Sequence, residues 1–188
     1  MSKLLLITAV VFSISQLGAA DTEPPGSETL SRAVQEIESL DAMRSGLAGT
    51  FGEKGVSADR ETFAQVCKPV GMNAGRIAQE NGWTVVQMAE KYRNPAHKLD
   101  IEGREVFGIF QEDKSVMGIW TYSEMNGKPG VRYFRRITVE PACLICHGEK
   151  DSRPEFVKEK YPEDKAYGFE AGDLRGIYSV FIPSPDGD

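Results

Sequence analysis

Two cysteines and a histidine stand close together late in the chain, as Cys143, Cys146 and His147 with two residues between the cysteines. Thiols at this spacing can each add to one vinyl group on the same edge of a haem, and the histidine that follows is then held beside the iron as its proximal ligand. The spacing therefore predicts one haem c, covalently attached through Cys143 and Cys146 and ligated by His147.

Three other chemistries use the same residue types. A disulfide between Cys143 and Cys146 would close a very tight ring. A thioredoxin-like redox pair is expected in an early strand-to-helix turn, whereas this pair follows a predicted hairpin. A zinc site needs four ligands and would have to recruit Cys67 as well. Haem attachment requires no further residue and is the favoured prediction.

The sixth position of the iron has several candidate ligands. Cys67 lies on the apolar face of a predicted helix, where the alternative is a small core residue. An unpaired thiol in an oxidising compartment is a liability unless something occupies it, which favours Cys67 as a ligand. His97 follows an Asn-Pro turn, where the alternative is a solvated surface side chain. Met72, Met88 and an open sixth position complete the set.

The N-terminus has the pattern of an export signal. Lys3 gives a positive start, residues 4–14 are almost wholly apolar, and residues 18–20 are small enough for cleavage. Because a spanning helix needs roughly 20 residues, we predict a cleaved signal rather than an uncleaved anchor, and a soluble periplasmic protein that does not span the membrane. The predicted organisation is a signal peptide at 1–20 with cleavage near Ala20, a disordered lead at 21–27 and a single domain at 28–188.

The composition fits one soluble globular domain. The 188 residues are 40% apolar and 27% charged, which is ordinary for such a domain. The formal net charge of −6 argues against nucleic acid as a partner.

Hydrophobic periodicity predicts an α+β fold, with two N-terminal helices followed by an antiparallel sheet with helical insertions. Pro69 in the second helix predicts a kink or break just after Cys67. The predicted elements are helices at 28–49, from about 57–59 to 81 and at 101–111, a Gly-rich break at 49–55, strands at 83–88, 115–124, 131–139 and 176–182, a loop at 91–100, a hairpin turn at 126–130 and a helical turn at 154–160.

A combination of short segments resembles a known family, the PAS-like c-type haem family, whose members occur as single exported proteins and as sensor modules of signalling proteins. The segments are 64–67, 92–96 with Asp100, Arg132-Tyr133, 143–148 and 172–176, within a resemblance that covers about residues 62–183. The resemblance implies a PAS-like antiparallel sheet with N-terminal helices and a covalently bound haem, with Cys67 opposite His147. His97 stands where many relatives carry asparagine, so it remains a rival ligand.

Four arginines are candidates for contacts with the haem. The resemblance implies that Arg93 orients its loop over the haem, with a plain turn as the alternative. Arg132, Arg135 and Arg136 lie on a predicted strand that runs towards Cys143, and haem propionates are anions that attract guanidinium groups. Arg93 and Arg135 are therefore included among the predicted haem-binding residues, with a solvated basic strand face as the alternative.

These residues predict a periplasmic mono-haem c-type cytochrome that transfers single electrons, with His147 and Cys67 as axial ligands, rather than an enzyme. Two protein ligands favour electron transfer over activation of small molecules, and an anionic thiolate predicts a low reduction potential. The alternative is a haem-based sensor of redox state or of a small gas. A peroxidase-like enzyme would need a distal acid–base residue, for which His97 is the one candidate. A carrier or a sensor would need a separate redox or signalling partner protein, which the sequence leaves unidentified.

Overall fold

The computed structural model describes residues 23–54 and 59–185. The predicted signal peptide at 1–20 lies outside the described residues. In the predicted lead, residues 23–26 have no regular secondary structure, but Pro25 is buried and Ser27 already belongs to the first helix. Pro25 is thus packed against the domain, whereas Gly26 and Ser27 are exposed.

Two long helices come first, as the periodicity predicts. Helix α1 spans Ser27–Lys54 and helix α2 spans Arg60–Asn81. Ala33, Ile37 and Leu40 are completely buried, because their spacing places them on one face of α1. The helix α1 continues into the predicted break as far as Lys54, since a glycine inside a helix costs only about 1 kcal/mol relative to alanine.

Helix α2 ends where the sequence predicts, but it is not interrupted at its proline. Gly82 has a φ of 68°, and the Trp83 N–H donates to the Ala78 carbonyl at 3.0 Å, which closes the helix end. Pro69 lies inside the helix, so the alternative of a break there is wrong, and a kink stays a prediction. Gln65, whose carbonyl loses its donor to the proline, is exposed, and water can satisfy that carbonyl.

Four antiparallel strands form one sheet in the order β1-β4-β3-β2. The strands are β1 Thr84–Met88, β2 Gly118–Met125, β3 Lys128–Thr138 and β4 Leu174–Pro183. Asn126 and Gly127 join β2 to β3 with φ values of 55° and 75°, as a type I′ turn requires. The predicted hairpin is confirmed with a shorter turn, and the α+β class is confirmed by the whole arrangement.

The centre of the sheet is covered on both faces. Helices α1 and α2 pack on the face that carries Tyr133 and Tyr178. Helix α3, Ile101–Glu112, packs on the face that carries Phe134 and Ile177. Strands β3 and β4 are therefore largely buried, whereas β2 at the edge alternates between exposed and half-buried residues.

The connection between β3 and β4 carries the predicted haem motif. It contains a 3₁₀ turn at Pro141–Cys143, the short helix α4 at Leu144–His147 and the helix α5 at Glu155–Lys160. A second 3₁₀ turn, Pro95–His97, follows β1. Within residues 23–54 and 59–185, no helix has the length and apolar character needed to cross a membrane.

Candidate functional site

One cavity brings together the residues that the sequence singled out for chemistry. Its walls are formed by α1, α2, the end of β1 and the segment that contains α4. Cys67, His97, Cys143, Cys146 and His147 all line it. The two predicted attachment cysteines, the predicted proximal histidine and two candidates for the distal ligand therefore share one space.

The disulfide and zinc alternatives are not assembled in this cavity. Cys67, Cys143 and Cys146 are free thiols. Among the side chains described in residues 23–54 and 59–185, no three His, Cys, Asp or Glu residues are close enough to hold a metal ion. Four protein ligands for zinc are thus not gathered here.

The attachment motif is held by two short turns in succession. The 3₁₀ turn Pro141–Cys143 leads directly into α4, which places both motif cysteines and His147 within about two turns of backbone. The Gly148 N–H closes α4 on the Leu144 carbonyl at 2.8 Å. A Cβ at position 148 would lie 2.7 Å from that carbonyl, so the close return of the chain requires glycine there.

The imidazole of His147 is held in one orientation by a backbone carbonyl. Its Nδ1 lies 2.7 Å from the Ala166 oxygen, and because a carbonyl only accepts, Nδ1 must carry the proton. Burial, followed by the charges of Arg175 and Arg93, lowers the pKa of His147 well below its usual value. The ring is therefore neutral with the lone pair on Nε2, which is the form in which histidine binds a metal.

Asp164 and Arg93 form hydrogen bonds with backbone groups next to the His147 side chain. The buried carboxylate of Asp164 accepts a hydrogen bond from the Ala166 N–H at 2.9 Å and pairs with Arg153 at 2.7 Å and with Arg93 at 3.4 Å. Arg93 donates to the Cys146 carbonyl at 2.8 Å. Arg93 thus lies beside the motif, and its predicted role in orienting its loop over a haem remains a prediction.

Cys67 lies on the wall of the cavity rather than in a packed core. Its thiol is accessible to solvent from the cavity, so the interpretation as a small core residue is wrong, and so is its predicted place on the buried face of α2. It is nevertheless surrounded by protein, and this burial raises the pKa of the thiol to about 11, with a smaller contribution from Cys146. Without a bound metal, the cavity thus presents a neutral thiol on the α2 side.

The other candidate ligands differ in their placement. His97 lines the cavity from the 3₁₀ turn after β1, so it stays a geometric rival of Cys67. Met88 also lines the cavity, but its sulfur already lies 3.4 Å from Nη2 of Arg132. Met72 is 66% exposed and is not part of the cavity wall.

The predicted role of Arg135 in haem binding is wrong. Its guanidinium forms two hydrogen bonds of 3.0 Å with Glu38 and an ion pair of 2.6 Å with Asp41, both on α1. Arg132 is likewise paired with acids of the α3 region, and Arg136 donates to carbonyl groups at the end of α3. Strand alternation directs these arginines to the two sheet faces, and none of the three lines the cavity.

The cavity has arginines that the sequence analysis missed. Arg44 on α1 and Arg175 on β4 line it together with Arg93. Arg44 Nη1 lies 3.8 Å from the sulfur of Cys143. The sequence held one signal for Arg175, its place in the segment 172–176, but nothing in the local pattern of α1 distinguishes Arg44 from a surface arginine.

The fold and the cavity define a class of protein: an α+β protein in which a Cys-X-X-Cys-His segment and a third cysteine line one cavity beside a four-stranded antiparallel sheet. Within that class, the chain belongs to the Tll0287-like family, whose model matches residues 23–183. The crystal structure of the cyanobacterial haem protein Tll0287 is similar, with a TM-score of 0.77 and 45% sequence identity over 87% of this chain and 100% of that chain. No curated protein gives a significant match.

Proposed function

We propose that this protein is a mono-haem c-type cytochrome that transfers single electrons in the periplasm. The observation that carries the proposal is the assembly of Cys143, Cys146, His147 and Cys67 on one cavity. Membership of the family that contains a cyanobacterial haem protein supports the cofactor. The antiparallel sheet with N-terminal helices supports the PAS-like description of the domain.

The residues of the cavity fit a haem. The free thiols of Cys143 and Cys146 stand on one short segment, and His147 offers Nε2 because Nδ1–H is held by Ala166. Each thiol adds across one vinyl double bond, with sulfur joining the carbon next to the ring and the thiol hydrogen going to the outer carbon. No oxidant or reductant is consumed, and two thioether bonds result.

Cys67 supplies the second axial ligand in this proposal. The bound haem would provide an iron that alternates between ferric and ferrous states by one electron. The thiolate of Cys67 would add negative charge beside the ferric state and lower the reduction potential relative to a methionine ligand. With both axial positions filled by protein, the site favours electron exchange with a partner protein over catalysis.

Covalent attachment is tested by expression together with a c-type haem maturation system. The denatured protein should retain haem on a gel stained for haem peroxidase activity, whereas the Cys143→Ala/Cys146→Ala variant should not. Haem that acid acetone extracts from the wild-type protein would contradict the proposal. A reduction potential in the range of methionine–histidine cytochromes would contradict the thiolate ligand, and loss of Cys67 from the iron on reduction would favour the sensor alternative.

Export is tested separately by the mass of the protein recovered from the periplasm. The positive start and the apolar residues 4–14 predict loss of about 20 residues by signal cleavage. A membrane fraction that holds the intact chain from Met1 would contradict the periplasmic assignment.

A further inference from the structure

Three arginines line the cavity, and two of them already have carboxylate partners. Arg44 lies 2.8 Å from Asp41. Arg93 lies 3.4 Å from Asp164. These two guanidinium groups thus each have a carboxylate within 4 Å, although Asp41 is shared with Arg135 and Asp164 is shared with Arg153.

Arg175 is different, because no ion pair with a carboxylate within 4 Å is found for it in the described part of the chain. Its Nη1 donates to the Lys91 carbonyl at 3.0 Å, and its guanidinium lies 5.3 Å from the centroid of the Phe169 ring. Phe169 in turn stands edge-on to the His147 ring at 6.2 Å. Arg175 therefore reaches the wall of the cavity on which the proximal histidine is mounted.

The surroundings of Arg175 disfavour its positive charge, although the residue is only half-buried. Desolvation, followed by repulsion from Arg93, lowers the pKa of Arg175 to about 10. A partly desolvated cation that has no carboxylate partner and lies near a second cation is disfavoured. An anion within the cavity would offset both effects.

Arg175 lies at a β-bulge and lines this cavity, and it also lines a neighbouring depression together with Lys91 and Phe169. Thr138 pairs with Leu174 and Ile137 pairs with Gly176, so Arg175 is an extra residue without a partner on β3. Such a bulge releases a side chain from the in–out alternation of its strand and often re-aims it at a site. A Cβ at Gly176 would lie 2.5 Å from the Met88 carbonyl, so β4 approaches the end of β1 closely just beyond the bulge.

We propose that Arg175 is the anion-binding residue of this cavity and that its anion is a propionate carboxylate of the haem. The inference rests on the proposed function, since it requires a bound haem. A guanidinium and a carboxylate form a forked, charge-assisted pair, and Arg175 can use the nitrogens that Lys91 does not occupy. Arg175 would thus be a positioning residue that holds the haem through one propionate and keeps a positive charge in the cavity.

The test uses holoprotein of the wild type, Arg175→Gln, Arg175→Lys and the control Arg104→Gln. Arg104 also donates from a guanidinium to a backbone carbonyl, that of Leu99, but it lies on α3 and does not line the cavity. The readouts are haem content per chain, the propionate bending band in the resonance Raman spectrum and the reduction potential.

Arg175→Gln should keep its covalent haem, shift the propionate band and lower the reduction potential, because loss of a nearby cation favours the ferric state. Arg175→Lys should give values between those of the wild type and Arg175→Gln, and Arg104→Gln should match the wild type. A folded Arg175→Gln holoprotein with the wild-type band and potential overturns the inference while leaving the proposed function intact. A wild-type protein without covalent haem overturns the proposed function first.

Discussion

Cys67 and His147 reach the same cavity from distant parts of the chain, and their surroundings prepare them for different roles. His147 is locked by the Ala166 carbonyl into the neutral form with Nε2 free. Cys67 stands on the accessible wall formed by α2 and has no comparable lock. In the proposed function, the histidine would therefore be a ligand of fixed orientation, whereas the cysteine would be held less firmly.

Cys67→Ala should keep the covalent haem but open the distal position of the iron. The low-spin ferric absorption and EPR spectra should change to high-spin or water-ligated spectra. Cyanide affinity should rise by at least about tenfold, equivalent to about 1.4 kcal/mol. His97→Ala is the control and should retain the wild-type spectrum. A change in His97→Ala together with an unchanged Cys67→Ala would make the iron bis-histidine.

Asp164→Ala should destabilise the holoprotein strongly, because it leaves Arg93 and Arg153 without their shared carboxylate. The Asp164 side chain is completely buried, and breaking a buried pair costs about 3–5 kcal/mol. Urea unfolding followed by circular dichroism measures the loss. Glu155→Gln, which removes the exposed pair with Lys158, should change stability by less than about 1 kcal/mol. Equal effects of the two variants would count against this account of Asp164.

The motif residues were visible in the sequence, but the roles of the arginines were not. The spacing of Cys143, Cys146 and His147 is a local property, so the sequence contains it fully. Arg135 was assigned to the haem from its position on a strand, yet its partners on α1 are set by the packing of that helix on the sheet. The position of Arg175 depends on a β-bulge, and no local sequence pattern predicts that bulge.

At the scale of elements, local chemistry predicted the ends of elements better than their interiors. The stop of α2 at Gly82 and the turn at Asn126-Gly127 follow from positive φ values that these residues adopt easily. The continuation of α1 to Lys54 and the passage of α2 through Pro69 do not follow from propensity. Both depend on tertiary packing or hydration, which offsets the modest free-energy cost of glycine or proline inside a helix.

Two glycine substitutions should have opposite effects on stability. Gly127→Ala should destabilise the protein by about 1–2 kcal/mol, because its φ of 75° is strained for a residue with a Cβ. Gly108→Ala in α3 should stabilise by up to about 1 kcal/mol, because its Cβ would meet no atom within 4 Å and alanine favours the helix. Urea unfolding of both variants gives the comparison. Destabilisation by Gly108→Ala would contradict the open space described beside it.

At the scale of the whole molecule, the cavity joins parts of the chain that are far apart in the sequence. Helix α2, the turn after β1 and α4 all contribute walls. The order of the strands and the identity of these neighbours could not be read from periodicity, which reports the faces of elements but not which elements meet. The α+β class was predictable because it follows from the kinds and order of elements alone.

The holoprotein should therefore unfold at a higher temperature than the same chain without haem. A group that binds the folded state and not the unfolded state stabilises the fold. We expect the Tm to fall by more than about 5 °C in Cys143→Ala/Cys146→Ala produced in the same cells, which for a chain of this size corresponds to about 2 kcal/mol. Differential scanning calorimetry measures both. Equal Tm values would mean that the walls of the cavity hold without the haem.

The position of Cys67 on a different helix from the attachment motif gives the chain a second topology. Cys67 and Cys146 are 79 positions apart. An iron–sulfur bond at Cys67 would make the haem a cross-link that closes this long loop, and a cross-link of that span restricts the unfolded chain by about 4.5 kcal/mol in the loop-entropy description. If that bond broke on reduction, as the sensor alternative requires, the ferric chain would unfold with this loop closed and the ferrous chain with it open, so the oxidation state of the iron would set the entropy of the denatured protein.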